Sequence, residues 1–177
     1  QSKEFKESSS SLLFAFALAI LLIYLILSAQ FESFIDPFII LFTVPLAVAG
    51  ALLTLWDFSQ TLNIFSQIGI IVLIGLVTKN GILIVEFANQ RKESGSEKVK
   101  AVQEAAIARF RPIIMTSLCT ILGILPIALA LGSGSQSRVS MGIAVVGGML
   151  FSTTLTLYII PAIYSYLSSN RKPINAE

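Results

Sequence analysis

The chain has 177 residues, of which 55% are hydrophobic and only 12% charged; its formal net charge is +2 and its mean hydropathy +0.84. In a soluble domain roughly a quarter of all residues are charged, so this composition indicates a membrane-embedded protein. The sequence has no histidine, one cysteine (Cys119) and no clustered carboxylates, so it offers neither a disulfide framework nor a set of metal-binding or acid–base groups. We expect no enzymatic activity, no cofactor or metal, and no nucleic acid as a partner.

Five largely apolar runs are long enough to cross a bilayer, which needs about 20 apolar residues. They predict membrane helices at about residues 12–30, 36–56, 64–88, 112–131 and 140–168. A Gly/Ser-rich loop, residues 132–138, separates the last two. The predicted fold is therefore an all-α membrane protein with five transmembrane helices.

Basic residues predict the orientation of these helices, because short cytoplasmic loops carry an excess of Lys and Arg. Eight basic residues lie in the link between the third and fourth helices and in the tail, residues 169–177. Both segments are therefore predicted to be cytoplasmic. Only Lys3, Lys6 and Arg138 lie on the other side, so the N-terminus is predicted to be external. Residues 1–11 are polar and show no signal-peptide pattern, so the chain is expected to be a fragment and these residues a linker from an external domain.

The longest polar stretch, residues 89–111, joins the third and fourth helices. Ser96 followed by Glu97 resembles a helix N-cap, and apolar residues recur at helical spacing after it: Val99, Val102, Ala106 and Phe110. This predicts a short amphipathic helix at the cytoplasmic surface, a plain connector in preference to a membrane sensor. Pro112 is then expected in the first turn of the next helix, where its missing N–H has no intrahelical partner.

Lys79 is a charge in the middle of the third apolar run. An ammonium at the centre of a membrane helix costs roughly 2.5–3.5 kcal/mol on insertion scales, and such residues usually serve ion or proton movement. Glu86 lies on the same helical face, but seven residues correspond to about 10.5 Å, too long for a relaxed internal pair. The other four helices show no internal Asp or Glu in the sequence. We therefore expect the counter-charge of Lys79 to lie outside this chain.

Small residues form a second pattern. In the last helix Ser140, Ala144, Gly148 and Ser152 repeat every four residues, which is typical of close helix packing in lipid. Gly75 is expected to serve helix packing in the third helix.

Thr116 follows Arg109 by seven residues and so lies on the same side of the fourth helix. By itself a Thr in a membrane helix usually bonds back to its own backbone.

Four motifs, in this order, resemble the C-terminal membrane half of resistance-nodulation-division (RND) efflux pumps, most closely the hydrophobe/amphiphile multidrug branch. They are FESFIDP at 31–37 with VPL at 44–46, IGLVTKNGILIVEF at 74–87, RFRPIIMTS at 109–117 and GGM at 147–149. The resemblance covers almost the whole chain. It implies that the five helices are helices eight to twelve of a twelve-helix protomer, with residues 1–11 leading from a porter domain.

The resemblance also implies a role for three residues. In RND pumps a Lys on the tenth helix faces two Asp residues on the fourth, and protonation of those carboxylates drives helix movement coupled to export. Lys79 matches that Lys, Thr116 matches a Thr of the same proton relay, and Arg109 matches an Arg at its cytoplasmic mouth. The Asp pair would belong to the N-terminal half of the same transporter, which this chain does not include.

We therefore predict the C-terminal segment of a proton-driven exporter of drugs or other amphiphiles. By resemblance, the intact pump is a homotrimer in the bacterial inner membrane that engages a periplasmic adaptor and an outer-membrane channel. Two alternatives stay open: a structural or vestigial five-helix fragment without transport, and an RND relative that moves metal ions or lipids.

Overall fold

A computed structural model describes residues 2–131 and 136–167 of the chain. These residues form six α-helices and a short 3-10 turn, and the described residues contain no β-strand. The helices are α1 Ser2–Phe31, α2 Ile35–Leu41, α3 Thr43–Asp57, α4 Ile64–Glu93, α5 Lys98–Ala128 and α6 Val139–Leu167. The predicted tail and most of the Gly/Ser loop lie outside the described residues.

Five helical segments are long and apolar enough to cross a membrane, and the predicted all-α fold with five transmembrane helices is confirmed. They are Leu13–Phe31, Ile35–Asp57, Ile64–Glu93, Lys98–Ala128 and Val139–Leu167. Residues 2–11, predicted as a linker, continue α1 as helix, since no Gly or Pro interrupts them.

The predicted second helix, residues 36–56, consists of two helices that meet at Phe42. Pro45 explains the break, because it has no N–H to donate to the carbonyl of Leu41, one turn earlier. In α3 that missing donor falls in the first turn, where no intrahelical partner is needed. The Thr43 hydroxyl donates to the Ile40 carbonyl oxygen at 2.7 Å and so satisfies one of the carbonyls at the end of α2.

The helix predicted after Ser96 is present, but its separation from the next helix is wrong: the segment is the first part of α5, which runs without interruption from Lys98 to Ala128. The helix begins one residue later than predicted, with Glu97 as N-cap, and Pro112 lies inside it. The physical reason is lateral packing. One face of this first part is buried and consists of Ala101, Val102 and Ala105. The last two belong to an apolar cluster with residues of α4 and α6. That burial outweighs the single backbone hydrogen bond that Pro112 removes.

The bundle is built around α6, which packs against α3, α4 and α5. The residue pairs in contact show that α4 and α6 run parallel, since Asn63 meets Ser140 near their starts and Asn89 meets Tyr164 near their ends. The α5 helix runs antiparallel to both. In contrast, α1 lies at the edge: among its described side chains only Leu27 is buried.

The four small residues of α6 lie at the centre of this packing, and all are buried. A Cβ atom on Gly148 would collide with the Leu73 side chain and lie 3.2 Å from the Ala47 carbonyl oxygen. The α6 backbone therefore approaches α3 and α4 as closely as a glycine allows. Gly75 differs, because a Cβ there would meet no described atom within 4 Å. The expected packing contact of Gly75 is not made within the described part of the chain.

Candidate functional site

Lys79 lies near the midpoint of α4 and is exposed in this structure. Within the described residues it makes no hydrogen bond and no ion pair. Glu86, on the same face, forms no ion pair with Lys79, so the charge of Lys79 is not neutralised within its own helix. Gly75, one turn before Lys79, is also exposed and leaves open space beside it. The middle of α4 thus presents a cation on a surface that no described helix covers.

Thr116 is exposed on α5, and its hydroxyl donates to the carbonyl oxygen of Ile113 at 3.0 Å. This is the backbone bond expected of a Thr in a membrane helix. Lys79 and Thr116 share no hydrogen bond. The residues that follow them, Asn80 and Ser117, do share one. Both side chains lie at one depth of the bundle, because Asn80 and Ser117 contact each other.

Arg109 lies away from Lys79, nearer the end of α4. Its guanidinium carbon, Cζ, is 5.1 Å from the centroid of the Phe87 ring. Eight residues separate Phe87 from Lys79, or about 12 Å along the helix. The Arg109 Nε atom is buried and has no hydrogen-bond partner among the described residues. The structure therefore does not join the three predicted relay residues by direct contacts.

Three polar side chains at the depth of Lys79 were not singled out from the sequence. Asn80 Nδ2 donates to Ser117 Oγ at 3.4 Å, and Thr153 Oγ1 donates to the same Ser117 Oγ at 3.0 Å. These residues come from α4, α5 and α6, and all three are buried. We call Asn80, Ser117 and Thr153 the central trio. The sequence signal was the presence of neutral polar residues inside apolar helices, where they commonly bond between helices.

A second hydrogen-bonded group was also missed, at the end of the bundle where α4 and α6 begin. The Asn63 and Ser66 side chains cap α4 reciprocally, each accepting from the other's backbone N–H at 2.9 Å. Ser140 of α6 donates to Asn63 Oδ1, also at 2.9 Å. The spacing of Asn63 and Ser66 resembles a capping box and could have revealed the cap.

A third group lies at the opposite end of the bundle. Asn89 Nδ2 donates to Asp36 Oδ2 at 2.9 Å, and the Tyr164 hydroxyl donates to Asn89 Oδ1. Asp36, at the start of the predicted second helix, lies in α2 and is buried. Its carboxylate is thus placed between helices, where the Asn89 amide satisfies part of its hydrogen-bonding capacity.

Apolar helices of membrane length, joined by polar groups at three depths, define a multi-pass membrane protein, and an intramembrane cation is typical of ion and proton pathways. The model of the AcrB/AcrD/AcrF family matches residues 1–168. The chain belongs to this family of RND efflux transporters.

Its relatives include transporters from several bacteria. It is 41% identical to an uncharacterized transporter of Haemophilus influenzae, over 98% of this chain and 18% of the relative. It is also 41% identical to the multidrug resistance protein MdtC of Erwinia tasmaniensis, over 95% of this chain and 16% of the relative. The MdtC protein of Yersinia pseudotuberculosis is 41% identical as well, over 98% of this chain and 17% of the relative. The chain thus spans about a sixth of the length of these relatives.

Proposed function

We propose that this chain is the C-terminal membrane segment of a proton-driven RND transporter that exports drugs or other amphiphiles. Lys79, Thr116 and Arg109 supply the cationic and hydroxyl side of its proton relay. The observation that carries the proposal is the position of Lys79, exposed at the middle of α4 without a partner among the described residues. In this proposal the transporter lies in the bacterial inner membrane, with the start of this segment in the periplasm and its end in the cytoplasm.

The physical argument concerns the cost of an unpaired charge. An uncompensated ammonium at mid-membrane is unfavourable by roughly 2.5–3.5 kcal/mol, so a counter-charge on another helix is required. The resemblance to RND pumps supplies two Asp residues in the N-terminal half of the transporter. A carboxylate beside a cation is stabilised in its charged form, and a proton that neutralises it removes that attraction. Lys79 then responds to protonation, which is what a proton-driven transporter needs.

Thr116 and Arg109 take supporting parts in this proposal. Thr116 lies at the depth of Lys79 on the neighbouring helix, and its hydroxyl can both donate and accept a hydrogen bond. The Arg109 guanidinium carries five N–H donors, of which the Nε donor is buried without a hydrogen-bond partner among the described residues. The complete transporter is proposed to be a homotrimer that engages a periplasmic adaptor and an outer-membrane channel. Two of the relatives described above are named multidrug resistance proteins, which supports drugs as cargo.

The test is drug export by the intact transporter with Lys79→Ala. We expect export to be abolished while the amount and assembly of the protein in the membrane stay normal. Lys100→Ala is the matched control, because Lys100 is an exposed lysine in the first turn of α5. Its removal should leave export unchanged. Normal export by Lys79→Ala would refute the relay assignment.

A further inference from the structure

The central trio occupies a position from which it can set the direction of Lys79 and Thr116. Asn80 directly follows Lys79 on α4, and Ser117 directly follows Thr116 on α5. The following residue of each pair is buried, and the preceding residue is exposed. Asn80 and Ser117 contact each other through their side chains. The contact between the two buried residues therefore fixes how each exposed neighbour is turned.

The antiparallel arrangement of α4 and α5 decides where these neighbours are directed. One residue corresponds to a rotation of about 100° around a helix axis. Viewed from the end at Asn63, a step back along α4 turns anticlockwise and a step back along α5 turns clockwise. Because Asn80 and Ser117 are directed towards each other, the two opposite rotations bring Lys79 and Thr116 to the same side of the helix pair.

The third member of the trio closes the opposite side. Thr153 of α6 donates to the same Ser117 oxygen that accepts from Asn80, so both lone pairs of that hydroxyl are used. Membrane-embedded helices have little hydrophobic preference for one rotation over another, because lipid is as apolar as a helix face. A buried polar group can instead specify one register among several. A rotation of α4 that brought Lys79 to the place of Asn80 would break the contact with Ser117 and turn the Lys79 side chain towards α5 and α6.

We propose that Asn80, Ser117 and Thr153 are positioning residues, whose hydrogen bonds fix the rotation of α4 and α5 so that Lys79 and Thr116 face the same uncovered side. The trio itself does not carry a proton in this proposal; it acts through the two residues it orients. The inference rests on the proposed function in so far as this orientation serves the relay.

The test separates orientation from transport. In the intact transporter with Cys119→Ser, the substitutions Lys79→Cys and Thr116→Cys report the proximity of these two positions through the rate at which a short bis-maleimide cross-links them. Export is measured separately in protein that keeps Lys79 and Thr116. The perturbing variant is Thr153→Val, which removes one hydroxyl with little change of volume. We expect slower cross-linking and export about fivefold slower, the factor typical of one lost buried hydrogen bond.

Two control variants sharpen the result. Thr153→Ser keeps the hydroxyl and should restore both rates. Thr154→Val makes the same change at the next residue, where the hydroxyl is exposed and bonds only to the Leu150 carbonyl. It should match the parent protein. If Thr153→Val behaves like Thr154→Val in both measurements, the positioning role is refuted.

Failure of the relay gives a different pattern. If Lys79→Ala exports normally while Thr153→Val still slows cross-linking, the relay assignment fails and the orienting contact stands. Should Thr153→Val not accumulate in the membrane, Ser117→Ala takes its place, since it removes a single oxygen from the centre of the trio. Parent-level cross-linking and export in Ser117→Ala would likewise overturn the proposal.

Discussion

The guanidinium of Arg109 lies over the ring of Phe87, with its Cζ atom 5.1 Å from the ring centroid. Arg91 of α4 approaches the same ring, its Cζ at 5.3 Å, and its Nε lies 3.7 Å from Glu104 of α5. One aromatic ring therefore lies between the two helices with two cations against it. An attraction of this kind is worth about 0.5–1 kcal/mol at exposed sites and more where water is excluded.

The first prediction concerns Phe87→Leu, which keeps an apolar side chain and removes the ring. We expect the free energy of unfolding in detergent to fall by about 1 kcal/mol, because the Phe87 contacts with both guanidinium groups are lost. Phe110→Leu is the matched control, since Phe110 is exposed on α5 and has no cation over its ring among the described residues. Equal losses in the two variants would mean that the ring does not bind these cations appreciably.

The second prediction concerns Tyr164→Phe, which removes the hydroxyl that donates to Asn89 Oδ1. The amide oxygen then loses a partner in a partly buried place, and the expected loss of stability is about 1 kcal/mol. Tyr158→Phe makes the same change in the same helix at an exposed tyrosine. Chemical denaturation in mixed micelles should show a lower midpoint for the first variant only. A shift of similar size in Tyr158→Phe would attribute the effect to the helix surface rather than to Asn89.

The third prediction tests how closely α5 and α6 approach. A Cβ on Gly142 would lie 2.6 Å from the Ala128 backbone nitrogen and 2.7 Å from its Cα, and neither atom can move without its helix. Gly142→Ala should therefore separate the ends of α5 and α6 and destabilise the protein by about 1–3 kcal/mol, the usual cost of overpacking.

Gly123→Ala provides the comparison, because a Cβ there meets no described atom within 4 Å. Alanine in a helix is favoured over glycine, so this variant should be neutral or slightly more stable. Thermal unfolding of both variants, measured in the same detergent, decides the matter. A neutral Gly142→Ala would show that the helix ends can separate without cost.

The fold was predictable from the sequence to the extent that it depends on local composition. Long apolar runs revealed all five membrane-length helices, since a span is defined by its own residues. The continuity of α5 was not predictable in this way. It depends on Ala101, Val102 and Ala105 being covered by other helices, and small apolar residues suit a surface helix and a buried one equally well.

The candidate site was predictable where a residue is exceptional by itself. Lys79 stands out because a charge in an apolar run has few explanations, and the family resemblance added Thr116 and Arg109. The central trio was missed for a physical reason. Thr116 does bond to its own backbone as expected, whereas the Thr153 hydroxyl bonds to Ser117, 36 residues away. One-dimensional spacing does not distinguish these two threonines, because the difference arises only when α5 and α6 pack.

The hydrogen bonds of α4 with its neighbours limit how α4 can move. The pair α4 and α6 is joined directly at both ends, through Asn63 with Ser140 and through Asn89 with Tyr164, and in the middle through Ser117. Sliding α4 along α6 would break bonds at three heights at once, each worth about 0.5–1.5 kcal/mol. If protonation displaces the backbone at Lys79, the two helices should therefore travel as a single rigid body. The part of the protein that moves on protonation is then larger than α4, the helix that carries the charge.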